Sequence, residues 1–163
     1  MVVAGAACSD SGGEAASTTT TVVSEVAPLR VDLVGEAIAA VEEELGGPQE
    51  YYEINATPAL VNLFVAQGAG VTAYAYIAGV LTSEELDGEP QGATFRADAV
   101  ELDAGRVTAA VTAELPASRQ DAFEILGGPD GSVVYSVIVT SAAGGQLIVR
   151  VGPDGTIGAV DPV

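Results

Sequence analysis

The sequence predicts an α+β fold: two tandem units, each a helix packed on one face of an antiparallel β-meander. Two observations predict it. The first is a recurrence, in which Ala39-Ala40-Val41 running to Glu44-Leu45 returns as Ala109-Ala110-Val111 running to Glu114-Leu115. Shortly after each copy comes an aromatic-Glu-Ile strand start, Tyr52-Glu53-Ile54 and then Phe123-Glu124-Ile125. The second is a switch of apolar period, from about 3.6 in each helical stretch to 2 in the runs that follow. These features divide the chain into a leader over 1–8, a tether over 9–27, a first unit over 28–92 and a second over 93–163.

In the first unit Asp32 is the expected N-cap of a helix reaching Leu45. Leu33, Val34, Ala37, Ile38, Val41 and Leu45 fall on one face, with Glu36, Glu42, Glu43 and Glu44 mostly toward water. Gly46-Gly47-Pro48 ends it, because Gly accepts the left-handed cap and Pro cannot continue a helix. Strands are expected near 50–55, 60–66 and 71–80, and the polar, acidic stretch 82–92 reads as a loop between units. A short strand over 94–100 follows. In the second unit Asp103 is the expected N-cap of a helix to Leu115 that buries Val107, Val111 and Leu115. Strands follow near 121–126, 132–140 and 146–151, and a last pair of short runs flanks the turn Gly152-Pro153-Asp154-Gly155. The alternation places Val133, Tyr135, Val137 and Val139 on one sheet face.

Composition narrows the function. Among 163 residues the net charge is −18, with no His and only five basic residues, all of them Arg. Binding to nucleic acid depends on Lys and Arg neutralising phosphates, so nucleic acid is not an expected partner. Anionic lipid headgroups are excluded on the same ground. Absence of His and Lys removes Ser-His-Asp triads, Schiff bases and imidazole metal sites. Carboxylate pairs are the catalytic chemistry that remains, and the runs Glu42-Glu43-Glu44 and Glu84-Glu85 read as solvated charge. No cofactor or metal site is expected, because the Pro-Asp-Gly turns lack the spaced carboxylates of a Ca²⁺ loop.

The chain opens Met1-Val2-Val3-Ala4-Gly5-Ala6-Ala7-Cys8, then a Gly/Ser/Thr-rich run. Small residues before a lone Cys, followed by a polar spacer, resemble the end of a bacterial lipoprotein signal peptide. That resemblance implies lipidation at Cys8 and a place on the extracellular side of the cell membrane, held by the lipid alone, with secretion as the alternative. One Cys permits no intramolecular disulfide. The second unit is similar to PepSY domains over about 103–160. The likeness is carried by Asp130-Gly131 before Tyr135-Ser136-Val137-Ile138-Val139, then Gly145-Gln146-Leu147-Ile148-Val149-Arg150-Val151, and a closing Asp154-Gly155-Thr156-Ile157. PepSY domains occur in secreted bacterial proteins and protease propeptides, which implies an inhibitory role. A duplicated helix-on-sheet arrangement also looks like that of the β-lactamase inhibitor protein.

The expected function is therefore a non-catalytic, envelope-tethered module that binds or inhibits a protein or peptide through its sheet. With Val61, Leu63 and Val65 facing the helix, Asn62 and Phe64 turn outward, together with Tyr51 and Glu53 on the neighbouring strand. Tyr74 and Tyr76 share a face, and strand register decides whether it is the same one. Tyr51, Glu53, Asn62, Phe64, Tyr74 and Tyr76 form the candidate binding surface, apolar and aromatic with a polar rim. The competing placement for these aromatics is the core. The competing functions are a carboxylate-dependent hydrolase, which needs two buried acids ~5–9 Å apart in a cleft, and a purely structural envelope protein. Oligomeric state is open.

Overall fold

The computed structural model describes residues 27–87 and 92–163. Cys8, the leader and all of the tether except Ala27 lie outside the described residues. A 3₁₀ turn over Arg30–Leu33 runs into α1, Val34–Leu45, and then into β1 (Glu50–Ala56), β2 (Val61–Gln67), β3 (Gly70–Ile77) and β4 (Val80–Leu86). A crossover carrying β5 (Phe95–Arg96) and a 3₁₀ turn, Ala97–Ala99, leads to α2, Ala104–Glu114. It is followed by β6 (Ser118–Gly127), β7 (Val133–Ser141), β8 (Gln146–Val151) and β9 (Ile157–Pro162). The strands make one antiparallel sheet in the order β4-β3-β2-β1-β6-β7-β8-β9. β5 pairs with β1 at Glu50 and Tyr51, next to the Glu53–Ala56 stretch that β6 pairs. An α+β architecture is thus observed, and the two strand series are continuous across β1 and β6, where Ile54 stands opposite Ile125.

Helix ends follow local chemistry, with one departure from expectation. Asp32 does not cap α1: it lies inside the 3₁₀ turn and meets Arg30 at 3.3 Å, and Leu33 is the N-cap residue of α1, with no side-chain cap. The 3₁₀ turn carries Asp32 one residue short of that position. Gly46, at φ 77°, ends the helix, and the Gly47 amide donates to the Glu42 carbonyl at 2.8 Å, satisfying an otherwise orphaned acceptor. Asp103 caps α2 as expected, accepting from the Arg106 amide at 3.0 Å.

A second departure concerns the stretch expected as one long strand and a loop. β3 stops at Ile77, the chain turns at Ala78-Gly79 with φ of 50° and 85°, and β4 returns along β3 in unbroken register from Val80 to Leu86. Two consecutive positive φ values mark the primed turn whose twist suits a two-residue hairpin. Ala is a poor residue for that position, so the turn has no sequence signature. β4 is an edge strand, exposed except at Leu81, which is half-buried against the core, hence its largely polar composition.

The core lies between the helices and one face of the sheet. Val34, Ala37, Ile38 and Val41 of α1 and Val107 and Val111 of α2 pack in one cluster with Ile54, Val61, Leu63, Val65, Phe123, Ile125, Val137, Val139 and Val149. The Gln120 amide of β6 donates to the Thr108 carbonyl and the Thr112 hydroxyl of α2, and Tyr76 of β3 donates to Glu36 of α1, so both helices cover the same face. The crossover lies on that face too: Phe95 packs against Tyr51 with ring centres 5.9 Å apart, and the Glu101 amide donates to the Tyr135 hydroxyl.

Candidate functional site

Strand register sorts the six residues expected on one surface. Between Tyr51 and Glu53 two residues of β1 advance against one of β2, with Tyr51 opposite Val65 and Glu53 opposite Phe64. This bulge reverses the alternation. Tyr51 therefore joins the core, while Glu53 faces away from the helices with Asn62 and Phe64. Tyr74 lies opposite Leu63 and Tyr76 opposite Val61, which places both on the helix-covered side. The three tyrosines are buried, and the expectation of one shared outward surface is corrected to Glu53, Asn62 and Phe64.

The tyrosines sit instead beneath the acidic side of α1. Tyr76 donates to the Glu36 carboxylate, and this hydrogen bond, with some desolvation, raises its pKa. Burial, and then the Glu44 charge, raise that of Tyr74. Burial pushes the Tyr51 phenol up most, assisted by Glu42, yet the Tyr51 hydroxyl is enclosed without a hydrogen-bond partner of good geometry among the described residues.

On the opposite face no described element covers the sheet. Its middle carries one transverse row in which each residue is the register partner of the next: Thr82, Ala75, Asn62, Asn55, Glu124, Ser136 and Arg150. Asn62 donates to Asn55 at 2.9 Å and Asn55 to Glu53, also at 2.9 Å. Ser136, only 2% exposed, donates to Glu124 at 3.1 Å. Donors within the row thus converge on two carboxylates. Glu53 stands between Phe64 and Leu126, and Glu124 is diagonal to it on the next strand. Desolvation, and then the Glu53 charge, raise the Glu124 pKa, and the Ser136 hydrogen bond opposes that shift. On either side the face is largely apolar, with Phe64, Leu126, Val134, Ile138 and Ile148 half-buried and Ile77 and Val80 45% and 61% exposed. An antiparallel sheet with one wet face ordinarily carries polar residues there.

Asn55, Glu124, Ser136 and Arg150 were not among the residues the sequence singled out. One signal pointed to Glu124, since it is the counterpart of Glu53 in the repeated aromatic-Glu-Ile start. A cavity of about 860 Å³ lies elsewhere, between Pro28, Leu29, Thr108 and Thr112 on one side and Gln120 and Thr140 on the other. Among the described residues no cluster of three or more carboxylate or thiol groups could hold a metal ion, and no helix is long and apolar enough to cross a membrane. In comparisons with protein-family models, curated proteins and solved structures, nothing matches this chain.

Proposed function

We propose that this chain is a non-catalytic binding or inhibitory module that recognises a protein or peptide through the uncovered sheet face. The observation that carries this reading is the composition of that face, apolar flanks around a hydrogen-bonded polar row, which is how the buried centre and polar contacts of an interface are built. The flat setting of Glu53 and Glu124 supports binding over carboxylate hydrolysis, which works in a cleft that holds a sugar ring between its two acids. We further propose that the chain is two tandem PepSY-like units, supported by the sequence recurrence and by the opposition of Ile54 and Ile125. A lipid anchor at Cys8 would hold it at the outer side of the cell membrane.

Capture of envelope proteins with wild type and with a Phe64→Asp/Leu126→Asp variant tests the recognition surface, with circular dichroism as the folding control. Expected is a partner retained by wild type and by a helix-surface variant but lost from the open-face variant. A partner that survives the open-face change removes the reading. Palmitate labelling in the native cells, abolished by Cys8→Ser, tests the anchor.

A further inference from the structure

The middle of the open face holds two carboxylates, Glu53 and Glu124, that no cation among the described residues neutralises, while Glu84 and Asp161 lie toward its edges on β4 and β9. Four of the chain's five arginines meet a nearby aspartate: Arg30 with Asp32, Arg96 with Asp98, Arg106 with Asp103 and Arg119 with Asp121. Lysine and histidine are absent. Neither Glu53 nor Glu124 makes an ion pair among the described residues, and the remaining arginine, Arg150, stands two strands from Glu124, about 10 Å away at ordinary strand spacing. Among the described residues their side-chain hydrogen bonds come from neutral donors, Asn55 and Ser136. Carboxylates set among Phe64 and Leu126 interact more strongly with a cation than fully solvated ones do.

We propose that the open face takes an extended basic segment of a partner protein, one arginine or lysine of which seats on Glu53 and Glu124 while its aliphatic neighbours lie on Phe64, Leu126 and Ile138. This rests on the reading of the open face as the recognition surface. The chemistry fits both parts of such a residue: the charged head meets the two carboxylates, and the methylene stem lies along the flanking apolar side chains. An arginine can also bond both oxygens of one carboxylate in a single plane. An acidic or purely apolar segment leaves both charges covered and unpaired, which is costly.

The test is selection of a displayed random 12-residue peptide library on the full chain at 0.15 M salt, where diffuse attraction between exposed charges is screened. Enriched peptides are then titrated against wild type, Glu53→Gln/Glu124→Gln, and a control of equal net charge, Glu43→Gln/Glu114→Gln, on the exposed helix surfaces. Expected are peptides with a basic residue between aliphatic ones. Their affinity should fall roughly ten- to hundred-fold on loss of the open-face carboxylates and stay nearly constant in the control. Equal weakening in both variants overturns the inference, because attraction is then spread over the whole chain. Enriched peptides without basic residues that are lost in Phe64→Asp overturn the inference but leave the open face as the recognition surface. Binding indifferent to Phe64→Asp, or no enrichment, overturns both.

Discussion

Replacing tyrosine by phenylalanine is predicted to act in opposite directions at two positions on the same side of the sheet. The Tyr51 ring is fully enclosed and packed on Phe95, while its hydroxyl has no partner of good geometry among the described residues. A buried hydroxyl left unpaired costs about 1–3 kcal/mol. Tyr51→Phe keeps the ring, opens no sizeable cavity and removes that cost. The variant should be more stable by about 1 kcal/mol, which for a chain of this length raises Tm by about 2–4 °C. Tyr76→Phe removes a donor to the Glu36 carboxylate and is expected to destabilise. Urea unfolding followed by far-ultraviolet circular dichroism measures both, with an unchanged denaturant slope confirming that stability alone has moved. A loss greater than about 0.5 kcal/mol in Tyr51→Phe would refute the reasoning. It would mean that the hydroxyl bonds the neighbouring Glu42 carboxylate, and Glu42→Gln should then reduce the loss.

Glu124→Gln is expected to stabilise near pH 7 and to lose that advantage in acid. The raised carboxyl pKa means that the folded chain holds this proton more tightly than the unfolded one, so wild-type stability falls as pH rises through the folded-state pKa. Glu53 is the nearest charged group on its face, with Arg150 two strands away and Glu84, Arg119, Asp121 and Asp161 toward the edges, and thermal melts of both proteins from pH 3 to 8 should converge below the ordinary carboxylate range. Asp103→Ala should cost about 1 kcal/mol through loss of the α2 cap, whereas Asp32→Ala, which loses only a largely exposed ion pair, should cost well under 1 kcal/mol in the same denaturation assay. Ala78→Gly should stabilise by roughly 0.5–1 kcal/mol, since glycine adopts the left-handed conformation without the penalty of a Cβ; a loss would show that the turn is not primed.

Most of the helix and strand positions could be read from the sequence because each has a buried side. The α1 face from Val34 to Val41 and the alternation of Val61, Leu63 and Val65 leave little choice of orientation. Features without such a side were hidden. β4 half-buries a single side chain, Leu81, so little constrains its pattern, and its turn uses an alanine where a glycine or asparagine would have announced it. The candidate site was misread for a related reason. Residues 51 and 53 share a face in a regular strand, and only the pairing with β2 reveals the bulge that separates them. Glu124 joins the site through a pairing between distant segments, which no local pattern records, and Ser136 follows it across the β6–β7 hairpin.

The seam at β1 and β6 has a consequence for how the chain reaches this fold. Hairpins such as β2 with β3 or β7 with β8 close over a few residues, whereas the rest of the first meander, the crossover and α2 lie between Ile54 and Ile125 in the chain. Closing that long loop costs more entropy than closing a hairpin, and distant pairings form late. Until then β1 and β6 each present a bare edge of unpaired amides and carbonyls, the kind of surface that captures another chain. Premature self-association should therefore begin at the centre of the final sheet, and a substitution that slows closure there should lower the yield of soluble protein more than it lowers Tm.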